Sequence, residues 1–165
     1  MLKANVKKLI IAMCCATFCV VALAGCGQIN KMTDPANAEK AATSVYFAEV
    51  NSAVNEFKST LGDFSADVKE KNVDNMKKKI DESQKLIDQF NKLEVPKNCE
   101  DVQKLYLDGF VQMQQALSNY VQIYSDFQSG QIDNNVLNQR VADVQSSYNS
   151  GLNLLTQADK LASEK

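Results

Sequence analysis

Cysteine has the most chemistry to offer in this chain, because a thiolate is a nucleophile, a metal ligand and a site of covalent modification. Three of the five cysteines lie within an apolar run over residues 9–24, where cysteine behaves as a small hydrophobe. They are Cys14, Cys15 and Cys19. Cys26 follows that run directly, after Ala24 and Gly25, and Cys99 lies much further along the chain. Chemistry is therefore expected at Cys26 and, as a weaker candidate, at Cys99.

The N-terminus has the three-part organisation of an export signal. Three lysines form a positive head, an apolar run follows, and small residues precede Cys26. The lysines are Lys3, Lys7 and Lys8. The run over residues 9–24 is shorter than the roughly 20 residues that cross a bilayer. We expect a cleaved leader, with a permanent N-terminal membrane anchor as the second choice.

The tetrapeptide Leu23-Ala24-Gly25-Cys26 resembles the lipobox of bacterial lipoproteins and matches its common Leu-Ala-Gly-Cys form at every position. The resemblance implies a diacylglyceryl thioether on the Cys26 sulfur and cleavage just before that residue. Two acyl chains hold a protein at a membrane stably, since each buried CH₂ contributes about 0.8 kcal/mol. The alternative is an ordinary secretory leader with a chance cysteine. The expected division is a signal peptide over 1–25, a lipidated tether over 26–33 and a domain over 34–165.

Composition argues against several classes of chemistry. The chain has no histidine, which excludes His-ligated metal and haem sites and Ser-His-Asp or Cys-His catalysis. It also has no glycine-rich phosphate loop. All 20 acidic residues but only 15 of the 18 basic ones follow Cys26, so the expected mature part has a net charge of −5 and no basic patch for nucleic acid. We therefore expect no enzyme, no metal, no nucleic-acid partner and no cofactor beyond the lipid on Cys26.

The domain is predicted to be all-α. Apolar residues recur at alternating steps of three and four, the spacing of left-handed helix packing, as in Phe47, Val50, Val54, Phe57, Leu61, Phe64 and Val68. Four such segments predict an elongated up-down-up-down four-helix bundle of two antiparallel hairpins, with helices of about 30 residues. The predicted helix starts are Asp34-Pro35, Asp74, an Asn98–Asp101 capping box and Asp133.

Cys99 is predicted to lie in the first turn of the third helix, where a helix dipole can lower the pKa of a thiol. The preferred interpretation is nevertheless a small hydrophobe near a turn. An intermolecular disulfide is a further alternative, because Cys99 would be the one cysteine left unpaired once Cys26 carries lipid.

Tyr120, Gly109 and Gly151 are the remaining candidates for a ligand or contact site. Tyr120 falls on the apolar stripe of the third helix, which favours a core residue whose hydroxyl reaches the edge of the bundle. Gly109 and Gly151 fall on facing stripes of the third and fourth helices. They predict either a close approach of two helices, which we prefer, or a small cavity.

The sequence therefore favours a lipid-anchored helical bundle on the extracytoplasmic face of a membrane, with a non-enzymatic binding or structural role. Its expected partners are the membrane and an envelope protein or a second copy. The alternative is a membrane-tethered sensor or carrier module that binds a small ligand between helices. A core cavity beside the two glycines would favour the alternative.

Overall fold

The computed structural model describes residues 35–165, and within them the predicted all-α four-helix bundle is confirmed. The four helices are α1 (Pro35–Glu70), α2 (Val73–Phe90), α3 (Glu100–Gln128) and α4 (Asn134–Ala162), with a 3₁₀ helix at Lys97–Cys99 before α3. The predicted leader, the Leu23-Ala24-Gly25-Cys26 motif, the tether and the Asp34 cap lie outside the described residues.

Aromatic side chains of α1 and α3 meet across the core. The rings of Phe57 and Phe110 are 4.6 Å apart, and those of Phe64 and Tyr120 are 6.1 Å apart. Residue numbers rise together along the two helices, so α1 and α3 run parallel, as the diagonal pair of an up-down-up-down bundle must. α1 continues without a break through Gly62, in agreement with the single long helix predicted.

The helix starts are partly as predicted. Asp133 caps α4, accepting hydrogen bonds from the backbone N–H groups of Asn135 and Val136. The cap of α2 was predicted at Asp74 but is Asn72, whose side chain accepts from the Asn75 N–H. The side-chain amide caps equally well there, and Asp74 falls in the first turn instead.

The predicted capping box of α3 is wrong. Asn98 lies in the 3₁₀ helix, and its side chain contacts the Thr43 hydroxyl of α1. Cys99 stands at the N-cap position and makes no side-chain capping bond. The Asn98 side chain therefore makes a tertiary contact with α1 and does not cap α3.

The second helix is shorter than predicted. α2 has 18 residues against 36 in α1, whereas α3 and α4 have 29 each, so the helices of the first hairpin are unequal and those of the second are equal. α2 ends at Phe90, whose carbonyl accepts a hydrogen bond from the Gln103 amide at 2.8 Å. The Tyr46 hydroxyl donates to the same Gln103 side chain at 3.0 Å. This buried chain of hydrogen bonds satisfies a carbonyl that a helix end leaves without an intrahelical partner.

The backbones of α3 and α4 touch at Gly109 and Gly151. A Cβ atom on Gly151 would lie 2.6 Å from the Met113 side chain and 3.0 Å from the Gly109 carbonyl oxygen. A Cβ atom on Gly109 would lie 2.6 Å from Leu155. Only hydrogen fits at either position. The helix pair is thus packed more closely than ordinary side chains would permit.

The first two turns of α1 project beyond the packed part of the bundle. Residues 37–42 are all exposed, and the buried face of α1 begins at Tyr46. Val45, next to that boundary, is a large apolar residue with 61% of its surface exposed. Residues 35–42 span about 12 Å at 1.5 Å per residue. None of the helices described is both long enough and apolar enough to span a membrane.

The glycine contact makes a paired prediction. Gly151→Ala should lower the free energy of unfolding by about 1–3 kcal/mol, because the added methyl meets Met113 and the Gly109 backbone. Gly62→Ala is the matched control, since nothing lies within 4 Å of a Cβ atom there. It should raise stability by about 0.5–1 kcal/mol through helix propensity alone. Urea unfolding followed by circular dichroism measures both, and equal shifts in the same direction would contradict the close contact.

Candidate functional site

The candidate residues within residues 35–165 do not come together. Gly109 and Gly151 are in contact, whereas Cys99 and Tyr120 lie about three turns from Gly109 in opposite directions, roughly 15 Å each. The predicted lipidation residue Cys26, with Leu23, Ala24 and Gly25, lies outside the described residues.

Cys99 is fully buried at the junction of the 3₁₀ helix and α3. Its thiol lies 3.5 Å from the Asn98 side-chain oxygen, to which it donates. Burial raises the pKa of the Cys99 thiol, which agrees with the preferred interpretation of a small hydrophobe near a turn and not with a thiol activated by the helix start. Desolvation of the thiolate is the largest cause of this rise. A neutral, inaccessible thiol is a poor nucleophile and cannot reach another chain unless the fold opens.

The space between Gly109 and Gly151 holds no cavity. The side chains of Leu155 and Met113 occupy the positions that Cβ atoms would take. A ligand site beside the glycines would require these buried side chains to move, and both are fully or almost fully excluded from solvent.

Tyr120 is a core residue with an unusual hydroxyl. Its ring packs edge-on against Phe64 and stacks against Tyr124, and only 3% of its surface is exposed. Within residues 35–165, its hydroxyl is the buried side-chain polar atom that has no hydrogen-bond partner. The prediction that this hydroxyl reaches the edge is therefore wrong. Burial raises the pKa of Tyr120 to about 12.

Tyr106 contrasts with Tyr120 on the same helix. Its hydroxyl donates to the Asp159 carboxylate of α4 at 2.5 Å, so its polar end does reach a partner at the edge of the core. Burial and this bond to Asp159 both raise the pKa of Tyr106.

Sequence reasoning missed a groove between the outer sides of α3 and α4. The groove has a volume of about 290 Å³ and is lined by Asn119, Gln122, Ile123, Arg140, Asp143 and Val144. Ile123 and Val144 are almost fully buried and form its floor, while the polar residues form its walls. One signal in the sequence points to it, because Arg140 is the one arginine of a chain that otherwise uses lysine.

The Arg140 guanidinium is held at the end of this groove. Its Nη1 donates to the Asp126 carboxylate of α3 at 3.2 Å, and the Gln122 amide donates to the other Asp126 oxygen at 2.6 Å. The Asp126 side chain is 15% exposed and that of Arg140 is 48% exposed. The ion pair therefore fixes one side of the guanidinium and leaves the rest facing solvent.

Within residues 35–165, no three His, Cys, Asp or Glu side chains cluster closely enough to hold a metal ion. No protein-family model, curated protein sequence or solved structure matches the chain.

Removing the hydroxyl should affect stability differently at Tyr120, where it has no partner, and at Tyr106, where it has one. Tyr120→Phe should leave the free energy of unfolding unchanged or raise it by about 1 kcal/mol, because a buried hydroxyl without a partner costs free energy. Tyr106→Phe should lower it by about 1–3 kcal/mol, because it removes a bond to a carboxylate. Tyr120→Ala should cost about 3–5 kcal/mol as a buried aromatic truncation. Denaturant unfolding of the three variants checks this, and a destabilised Tyr120→Phe would mean that the hydroxyl has a partner.

Stability should also fall at alkaline pH. Tyrosine has a pKa of about 10 in an unfolded chain and Tyr120 one of about 12 in the fold, so the folded state holds its proton more tightly. The difference in proton affinity leaves the free energy of unfolding unchanged below about pH 10 and lowers it as the pH rises towards about 12. Unfolding free energies measured over that window should decline less steeply for Tyr120→Phe than for the unmodified protein. Parallel curves would contradict the raised pKa.

Proposed function

We propose that this protein is a lipid-anchored helical bundle on the extracytoplasmic face of a cell membrane, with a non-enzymatic binding or structural role at the cell envelope. The observation that carries the proposal is Leu23-Ala24-Gly25-Cys26, which follows a positive head and an apolar run in the order of a lipoprotein leader. The diacylglyceryl group on Cys26 is the one prosthetic group proposed.

The arrangement of the domain supports this proposal. α1 begins at Pro35, only nine residues after Cys26, and eight extended residues between them reach about 28 Å at most. The anchor thus enters the bundle at the end where Asn98 contacts Thr43 and Lys165 pairs with Asp101. The turns after α1 and α3 lie at the opposite end, away from the proposed membrane.

The described side chains also support a role without catalysis. The Cys99 thiol is buried with a raised pKa, and burial raises the pKa of Tyr120 in the same way. The Lys104–Asp108 ion pair is a solvent-exposed contact along one helix, which contributes little to stability. The partners we propose are the membrane, through the lipid, and an envelope protein or a second copy of the chain.

The alternative function, a tethered sensor or carrier module with a ligand between helices, is supported by one observation. The groove between α3 and α4 places polar groups around an apolar floor. Its ligand would therefore lie on the outer side of the helix pair and not in the bundle core beside Gly109 and Gly151.

The anchor is tested by Cys26→Ala with Cys19→Ala as the matched control. Wild-type cells grown with radiolabelled palmitate should give a labelled protein of mature size, and Cys19→Ala should give the same result. Cys26→Ala should be unlabelled and either unprocessed or released from the membrane, because the thiol that accepts the lipid is gone. Labelling, gel mobility and membrane fractionation after a carbonate wash are the measurements. A Cys26→Ala protein of mature size that stays with the membranes would rule out lipidation as the anchor.

A further inference from the structure

The groove between α3 and α4 combines three kinds of group in one place. Arg140 supplies a cation, Asp143 an anion, and Ile123 and Val144 an apolar floor. Arg140 and Asp143 are three residues apart on α4, so their side chains leave the same face of the helix as neighbours, with Cβ atoms about 5–6 Å apart. Opposite them, Asn119 offers an amide that can both donate and accept.

The surface next to Arg140 and Asp143 is largely uncharged. No residue of 109–125 on α3 or of 144–158 on α4 is charged, and about ten residues of each stretch face each other in the antiparallel pair, because Gly109 packs against Gly151. Asp143 and Arg140 stand at the distal end of this neutral surface. A charged ligand there meets few competing charges from the same pair of helices.

An arginine at position 140 binds a carboxylate differently from a lysine. A guanidinium carries five N–H donors in a planar fork, which matches a carboxylate, whereas an ammonium acts as a point charge. One edge of Arg140 binds Asp126, and the half-exposed remainder still has donors to offer. Asp126 thus holds the fork in place for a second carboxylate.

The net charge of the groove determines whether a simple anion or a zwitterion is the better ligand. Arg140 is already neutralised by Asp126, and Asp143 adds a further negative charge, so a simple anion would be repelled. A molecule with both a carboxylate and an ammonium group avoids this, because each of its charges meets the opposite charge in the groove.

We propose that the α3–α4 groove binds a small zwitterion of the α-amino-acid class. Its carboxylate lies on Arg140, its ammonium group on Asp143, and a small apolar side chain over Ile123 and Val144. The volume of about 290 Å³ lies at the lower end of the range for small-molecule pockets and accommodates one amino acid or a dipeptide. Because the groove is open to solvent, the expected dissociation constant is about millimolar. This site does not depend on the lipid anchor.

The test is a nuclear magnetic resonance titration of the full chain in detergent, followed at the side-chain amides of Asn119 and Gln122. The probe is L-valine, with two half-ligands as comparisons. N-acetyl-L-valine keeps the carboxylate and loses the ammonium group, and L-valinamide keeps the ammonium group and loses the carboxylate. L-valine should give a saturable shift at both amides, and each half-ligand should bind about tenfold more weakly because one charged hydrogen bond is lost. Glycyl-L-valine distinguishes a free amino acid from a dipeptide.

Variants assign the two contacts. Arg140→Lys keeps the charge but not the fork, and Asp143→Asn removes the anion, so each should weaken L-valine binding by about tenfold. Asp88→Asn, an exposed carboxylate of α2, is the matched control and should leave binding unchanged. Circular dichroism melts check that Arg140→Lys still folds, since it alters the pair with Asp126, whereas Asp143→Asn leaves that pair intact.

The proposal is overturned by any of three results. The first is no saturable shift up to about 50 mM L-valine, well above the expected dissociation constant. The second is equal binding of L-valine and either half-ligand. The third is unchanged binding in folded Arg140→Lys and Asp143→Asn. None of these bears on the anchor, which is judged from labelling and fractionation of Cys26→Ala.

Discussion

The bundle depends on the contact between the backbones of α3 and α4. Gly109 and Gly151 leave no room for a methyl group between them, and Ala116 of α3 and Ala158 of α4 are fully buried. The side chains of Met113 and Leu155 pack directly against this contact. The groove that contains Arg140 lies further along the same helix pair, between residues 119–123 of α3 and 140–144 of α4.

Polar groups inside the bundle are of two kinds. Tyr46, Gln103 and the Phe90 carbonyl form a continuous chain of hydrogen bonds that joins α1, α3 and the end of α2. Such a chain fixes the relative positions of three elements, because a shift of any one would leave a buried polar group without a hydrogen-bond partner. The Tyr120 hydroxyl belongs to no such chain. Its ring contributes apolar packing to the core, while its oxygen opposes folding.

Patterns of local origin could be predicted from the sequence. The alternating steps of three and four gave the helices and their buried faces, and Asp133 marked its own helix start. Features set by distant residues could not be predicted in this way. α2 ends where Gln103 of α3 supplies a donor, and Asn98 turns to Thr43 of α1. The groove was missed for the same reason, since it depends on the register of α3 against α4.

The exposed first turns of α1 have a consequence for proteolysis of the chain. Residues 37–42 are held by their own helical hydrogen bonds, so local opening there is easier than in the packed core. A protease that cut this segment would leave Tyr46 and every core contact after it in place. The released part would remain folded, so a protein anchored as proposed would become diffusible by shedding, without passing through an unfolded state.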